Sequence, residues 1–171
     1  MPRRGPESLS WQNQITSMTR EEHRQQVICS CIKHQEQIAF VAKQEMDSAQ
    51  QQSNDYGANV DRYDSYRTKM MRSRDMYAKQ LANANAGLRV LGDLLKMQPL
   101  DTADHGAIVI TDRQRFFMSI GLGKFQVETD GKKEDYYAIS AQTPVYIALK
   151  GKKPGDTITI NGLTQTIKEI Y

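Results

Sequence analysis

The sequence predicts an α+β fold in which a long N-terminal antiparallel coiled-coil hairpin is followed by a small antiparallel β domain with one short helix. Three observations carry this expectation. From Val60 to Leu95 an alternating three-four spacing runs through Tyr63, Arg67, Met70, Arg74, Tyr77, Leu81, Ala84, Leu88 and Leu91, with no proline inside. A weaker run with the same spacing lies upstream, through Arg24, Ile28, Cys31, Gln35, Ile38, Ala42, Glu45, Ala49 and Gln52. After Pro99 the period changes from helical to short β-branched and aromatic runs separated by Gly, Asp and Lys.

The first helix starts at Thr19-Arg20-Glu21-Glu22, a capping box in which threonine and glutamate satisfy each other's backbone amides. A seam of this kind needs a second apolar stripe to cover it, so the two helices fold back on each other. Asn54-Asp55-Tyr56-Gly57 supplies turn chemistry, which puts the tip at about 54–58, with Asp55 or Asn59 capping the second helix. A turn centred near Tyr56 pairs residues whose numbers add to about 112, setting Ile28 against Ala84, Ile38 against Arg74 and Glu45 against Arg67. The last pair would neutralise an arginine that is costly at a seam position. Toward the tip the seam passes into Ala49, Gln50, Gln51 and Gln52, so weak packing and a mobile end are expected there.

Pro99 ends the second helix. Strands are expected at 107–110, 115–120, 124–127, 135–139, 157–160 and 163–170, with Asn161-Gly162 as a hairpin turn. Between the fourth and fifth, Thr143-Pro144 opens a short helix that Gly151 follows. The chain therefore divides into a flexible segment 1–18 with a short helical turn at 11–17, a hairpin 19–97, a linker 98–104 and a β domain 105–171.

A net charge of +3 is too small by itself to argue for nucleic-acid binding. Basic residues nevertheless gather on the second helix, where Arg62, Lys69, Arg72 and Lys79 form a candidate flank for RNA or a charged channel. No signal peptide or membrane span is legible, so a cytoplasmic protein without a membrane partner is expected. Cys29 and Cys31 fall on different faces of a helix, which does not suit a disulfide, and with His23 and His34 they lack zinc-like spacing.

The stretch Thr143-Pro144-Val145-Tyr146-Ile147-Ala148-Leu149-Lys150-Gly151-Lys152-Lys153-Pro154-Gly155-Asp156, set after a long hairpin and before two closing strands, resembles the bacterial transcript-cleavage factors of the GreA and GreB family. The likeness of architecture runs from about residue 20 to Tyr171 and is most specific in this stretch. It implies an FK506-binding-protein-like C-terminal domain that docks on RNA polymerase through Thr143, Pro144, Val145, Gly151, Lys152, Gly155 and Asp156. The hairpin would enter the polymerase secondary channel as a monomer, near nascent RNA. An acidic tip, here Asp55 and Asp61, would assist the polymerase's catalytic Mg2+, with no metal bound by the factor alone. Two metals held by carboxylates activate water and stabilise the leaving oxygen. The family's central tip glutamate is replaced by Ala58, so one key carboxylate is missing. A channel occupant that does not stimulate cleavage is therefore the alternative to a cleavage factor. Two readings of other classes are a prolyl isomerase using Phe116, Phe117, Tyr136, Tyr137 and Tyr146, and a coiled-coil scaffold that dimerises through the hairpin.

Overall fold

The computed structural model describes residues 19–55 and 64–171. Two long helices, α1 (Arg20–Asp55) and α2 (Asp64–Leu95), pack against each other. They run antiparallel: Gln35 Nε2 donates to Ala84 O at 3.2 Å, and farther out Tyr66 Oη donates to Gln52 Oε1 at 3.2 Å. The capping box forms as read, with Thr19 N donating to Glu22 Oε2 at 2.9 Å and Glu22 N to Thr19 Oγ1 at 3.2 Å.

The register differs from the expected one. These two pairs have numbers adding to 119 and 118, about one heptad away from 112, and a third, the long Arg74 side chain with Gln50, adds to 124. A whole-heptad slip keeps both seams facing each other, so periodicity cannot choose between the two arrangements; the length of the connection does. Helix α1 continues through Asn54 and Asp55, which removes Asp55 from the turn and from the role of cap for α2. Asn59 lies outside the described residues. Glu45 and Arg67 are both exposed and share no ion pair, while Ile28 and Leu91 are fully buried in one core cluster. The seam of α1 also drifts by one position toward the tip. Ala39 and Ser53 are buried where Ile38 and Gln52 were expected, because 3.6 residues per turn falls behind a 3.5 repeat.

The β domain contains β1 (Ile108–Thr111), β2 (Arg115–Met118), β3 (Gly123–Thr129), β4 (Lys132–Ile139), the short helix α3 (Pro144–Leu149), β5 (Thr157–Ile160) and β6 (Leu163–Ile170). The strand order is β3-β4-β2-β1-β6-β5. The sheet is mixed rather than antiparallel, because β2 pairs in parallel with β4 through Phe116–Tyr137, Phe117–Ala138 and Met118–Ile139. This follows from β3 taking the outside edge: the β3–β4 hairpin brings β4 back alongside β2 in the same direction. The two hairpins turn on Asp130-Gly131 and Asn161-Gly162, all four with positive φ between 51° and 78°, the conformation that favours Asn, Asp and Gly.

Successive strand residues feed opposite faces of the sheet. Ile108, Phe117, Phe125, Val127, Tyr136 and Ala138 pack with Val27, Ile28 and Cys31 of α1 and Leu91 and Leu94 of α2. Val109, Phe116, Met118, Ile139, Ile158, Ile167 and Ile170 pack with Tyr146 and Leu149 of α3 on the other side. The sheet is thus covered on both faces, which explains the uninterrupted apolar runs of its central strands.

Candidate functional site

The base of the hairpin is fixed by two arginines one turn apart on α1. Arg20 Nη2 donates to Leu100 O at 3.1 Å, Asp101 Oδ1 at 3.0 Å and Ile170 O at 2.8 Å. Arg24 is only 1% exposed, and its guanidinium donates to Leu94 O at 3.0 Å, Met97 O at 3.3 Å, Tyr171 O at 3.4 Å and Gly106 O. It therefore ties α1 to the C-terminal carbonyls of α2, to the entry of β1 and to the residue after β6. Leu94 O also accepts from Met97 N and Tyr171 O from Ile108 N, each at 3.1 Å, so the guanidinium adds to those bonds and supplies the donors for Met97 O and Gly106 O. Burial lowers the Arg24 pKa, so these bonds must offset a desolvation cost. The seam spacing placed Arg24 correctly but carried no sign of its role, since its acceptors are backbone groups.

Beside this clamp, His23 Nε2 lies 3.1 Å from the Tyr136 hydroxyl and its ring is 4.8 Å from that of Tyr171. Burial lowers the His23 pKa against the opposing pull of Glu134 and Glu169. Gln26 Nε2 adds a bond to Glu128 O on β3 at 2.7 Å.

Outward from the base the hairpin leaves the sheet. Residues of the helices join the core clusters only as far as Ile32 on α1 and from Val90 on α2, and a cleft above them reaches Ile38 and Gln80. From Ile38 to Asp55 is about 25 Å at 1.5 Å per residue. Over that distance the two helices meet each other through small and polar groups. Ala42, Ala49 and Ser53 are buried, Arg74 Nη1 donates to Gln50 Oε1 at 2.8 Å, and Tyr66 reaches Gln52.

At the far end Asp55 is exposed and ends α1, and Asp64 is exposed and begins α2. Asp64 suits a helix N-terminus. Asp55 is the last described residue of α1, and no basic residue lies in the turn before it. Asp47, by contrast, is paired with Lys43 at 3.0 Å. Asp61 and Arg62 lie outside the described residues, as do Ala58 and the segment 1–18. Lys69, Arg72 and Lys79 are all exposed, and their spacing of three and seven puts them on one stripe of α2, with Met76, 48% exposed, between them.

In the stretch Thr143–Asp156 most of the singled-out residues shape the backbone. Thr143 Oγ1 accepts from Tyr146 N at 3.3 Å and donates to Ser140 O at 2.8 Å, and Pro144 takes the first turn of α3. Gly151 N donates to Ala103 O at 2.8 Å, and Lys152 O accepts from Ala103 N at 2.9 Å. Asp156 Oδ2 accepts from Lys153 N at 2.8 Å, while Gly155 N donates to Ile167 O at 2.8 Å. Val145 packs partly buried against the α3-side core. Exposed on this scaffold are Pro144, Ile147, which is 67% exposed, and the run Lys150, Gly151, Lys153, Pro154, Gly155 and Asp156.

No family model, curated protein or solved structure matches this chain. Among the described residues no three His, Cys, Asp or Glu side chains converge as a metal-binding group. No helix among them is long and apolar enough to cross a membrane. The aromatic residues considered for a proline pocket divide between the two faces of the sheet, Phe117 and Tyr136 toward the helices and Phe116, Tyr137 and Tyr146 toward α3. They do not gather into one concavity. Cys29 is exposed, and burial pushes the Cys31 thiol up to about 12.

Proposed function

We propose that this chain is a cytoplasmic, monomeric regulator of transcription of the Gre type, with an FK506-binding-protein-like base that docks on RNA polymerase and a hairpin that enters the secondary channel. The observation that carries the reading is the division of labour along the hairpin: its base is clamped to the sheet by Arg20 and Arg24, whereas its outer part, ending in the exposed Asp55, faces no sheet residue of the cores or the cleft. A thin, firmly mounted projection with an exposed carboxylate toward its outer end suits insertion into a narrow passage. The Thr143–Asp156 stretch supports the same family, and the exposed Pro144 and Ile147 on it offer a small apolar contact for docking.

The protein's role toward the polymerase is that of an accessory. Asp55, with Asp61, would lend carboxylate oxygens to a Mg2+ held chiefly by the polymerase's own ligands; such an ion supplies charge neutralisation and an activated water. Lys69, Arg72 and Lys79 would face channel walls or nascent RNA through contacts that weaken with salt. Ala58 in place of the family's glutamate favours a channel occupant that modulates elongation without strong stimulation of cleavage.

Mixing the protein with stalled elongation complexes tests the reading. Co-migration with polymerase that disappears on Ile147→Asp substitution is expected. Short 3′ RNA fragments that vanish in Asp55→Ala would make it a cleavage factor; association without fragments would make it a silent occupant. Absence of association would remove both.

A further inference from the structure

The six-stranded sheet has two edges, and the chain protects only one of them. Along β3 the edge carries the exposed charges of Lys124 and Glu128, and Gln26 of α1 donates to Glu128 O at 2.7 Å. Charges and a covering element are devices by which a sheet edge avoids pairing with another chain. At the other edge β5 reads Thr157-Ile158-Thr159-Ile160, without a charge, a proline or a bulge, and no described element pairs beyond it. Asn161-Gly162 is a two-residue turn, so Ile160 with Leu163 and Ile158 with Gln165 exchange the hydrogen bonds of the β5–β6 ladder. Thr157 and Thr159 therefore direct their N–H and C=O groups away from β6, and none of these groups has a hydrogen-bond partner among the described residues.

Donors and acceptors at strand spacing are matched by another strand. The sequence of β5 indicates which one. Thr157-Ile158-Thr159 reads the same in both directions, so an antiparallel copy placed with a two-fold axis at Ile158 sets Thr157 opposite Thr159 of the second copy, and the reverse. Each opposed pair exchanges N–H and C=O, which uses every free backbone group of the edge. On the face away from α3 the chain already pairs threonines between β5 and β6: Thr159 with Thr164, their hydroxyls 3.3 Å apart, and Thr157 with Thr166. The two-fold register continues these rows into the second copy, so that threonines stand in line across four strands with no like charges opposed. On the other face Ile158 meets its own copy. Helix α3 packs against β5 there, so the 67% exposed Ile147 of each copy comes onto adjoining surface.

We propose that the chain pairs with a second copy of itself, edge to edge through β5, joining two six-stranded sheets into one. The pair is the free-standing form and the monomer assigned to the polymerase above is the working form; the pairing itself does not rest on that assignment. None of the residues in this contact belongs to the hairpin, which separates it from a dimer formed through the coiled coil.

Sedimentation equilibrium of the full chain from about 1 µM to 1 mM, a span that covers weak interfaces, should show the mass rising from 19.5 kDa toward twice that value. Thr157→Lys combined with Thr159→Lys sets lysine opposite lysine across the axis and should weaken association roughly tenfold or more. Thr157→Glu combined with Thr159→Glu should do the same. Both positions are exposed, so the fold is kept, which circular dichroism checks. Mixing the two variants should restore association as a heterodimer, a rescue that neither a folding defect nor a contact elsewhere produces. The Thr157 and Thr159 amides should exchange more slowly with solvent as concentration rises. A mass of one chain at every concentration would overturn the proposal, whether those amides exchange fast or are protected by residues of the same chain. So would a lysine variant that associates as the parent does, or a mixture that associates no more tightly than either variant alone.

Discussion

Replacing Arg24 with leucine keeps the apolar stem and removes every donor, so it isolates what the clamp contributes. The guanidinium serves four backbone carbonyls, and the bonds to Leu94 and Gly106 are buried. A hydrogen bond from a charged donor is worth about 1.5–3 kcal/mol, so these two alone represent roughly 3–6 kcal/mol. Against this stands the desolvation of the arginine itself, which the leucine variant recovers. A net loss of about 3 kcal/mol follows, since the Gly106 carbonyl is left without this donor and the Leu94 carbonyl keeps only its bond from Met97 N. At about 2–4 °C per kcal/mol for a chain of this length, the melting temperature should fall by roughly 6–12 °C. Arg24→Lys, which keeps the charge with fewer donors, should fall by about half as much. Urea unfolding followed by circular dichroism measures both. A leucine variant within about 0.5 kcal/mol of the parent would refute the view that this side chain joins the hairpin to the sheet.

Further outcomes follow from other residues. His23 has its pKa lowered in the folded protein, so protonation opposes folding: its contribution is complete above about pH 6.5, the ordinary histidine value, and is lost progressively as pH falls from there through the lower folded-state pKa. Melting temperatures measured from pH 7.5 to 5.5 should decline less steeply in His23→Gln than in the parent. Thr19→Ala removes the acceptor for Glu22 N and should cost about 1 kcal/mol in urea titration, whereas Glu21→Ala, outside the capping box, should cost markedly less. Asp55→Asn replaces an exposed carboxylate and should leave stability within about 0.5 kcal/mol of the parent while abolishing any effect on transcription. A variant that loses both would place Asp55 in the fold rather than at the working end. Gly162→Val, at φ 78°, should destabilise the β5–β6 hairpin by about 1–2 kcal/mol, whereas Gly162→Asn should be much milder.

Much of this architecture can be read from the chain because its signals are local. The box at Thr19 to Glu22, the cap at Thr143 with Pro144 after it, and Asn161-Gly162 each specify their own few residues, and the structure realises all three. Asp130-Gly131 has the same chemistry and could have been read the same way. The hairpin register could not, because both candidate pairings bury the same seams and only the eight residues between Asp55 and Asp64 distinguish them. The parallel pairing of β2 with β4 was hidden for a related reason. Strand spacing reports hairpins, but it does not say which edge a third strand will take. At the site, exposure of Lys69, Arg72 and Lys79 follows from helical period, while the arginine clamp is assembled from backbone atoms and residues distant in sequence. Such groups leave no motif.

Under the proposed function a firmly mounted hairpin carries Asp55 to the active centre of a polymerase. Attaching an iron chelate at Asp55→Cys, in a chain with Cys29→Ala, tests this directly, since the buried Cys31 thiol with its pKa of about 12 stays unlabelled. Hydroxyl radicals released in a stalled elongation complex should cut the polymerase chain around its catalytic Mg2+ and the RNA near its 3′ end. Cuts confined to the outer surface of the enzyme, in a complex that forms normally, would contradict the account.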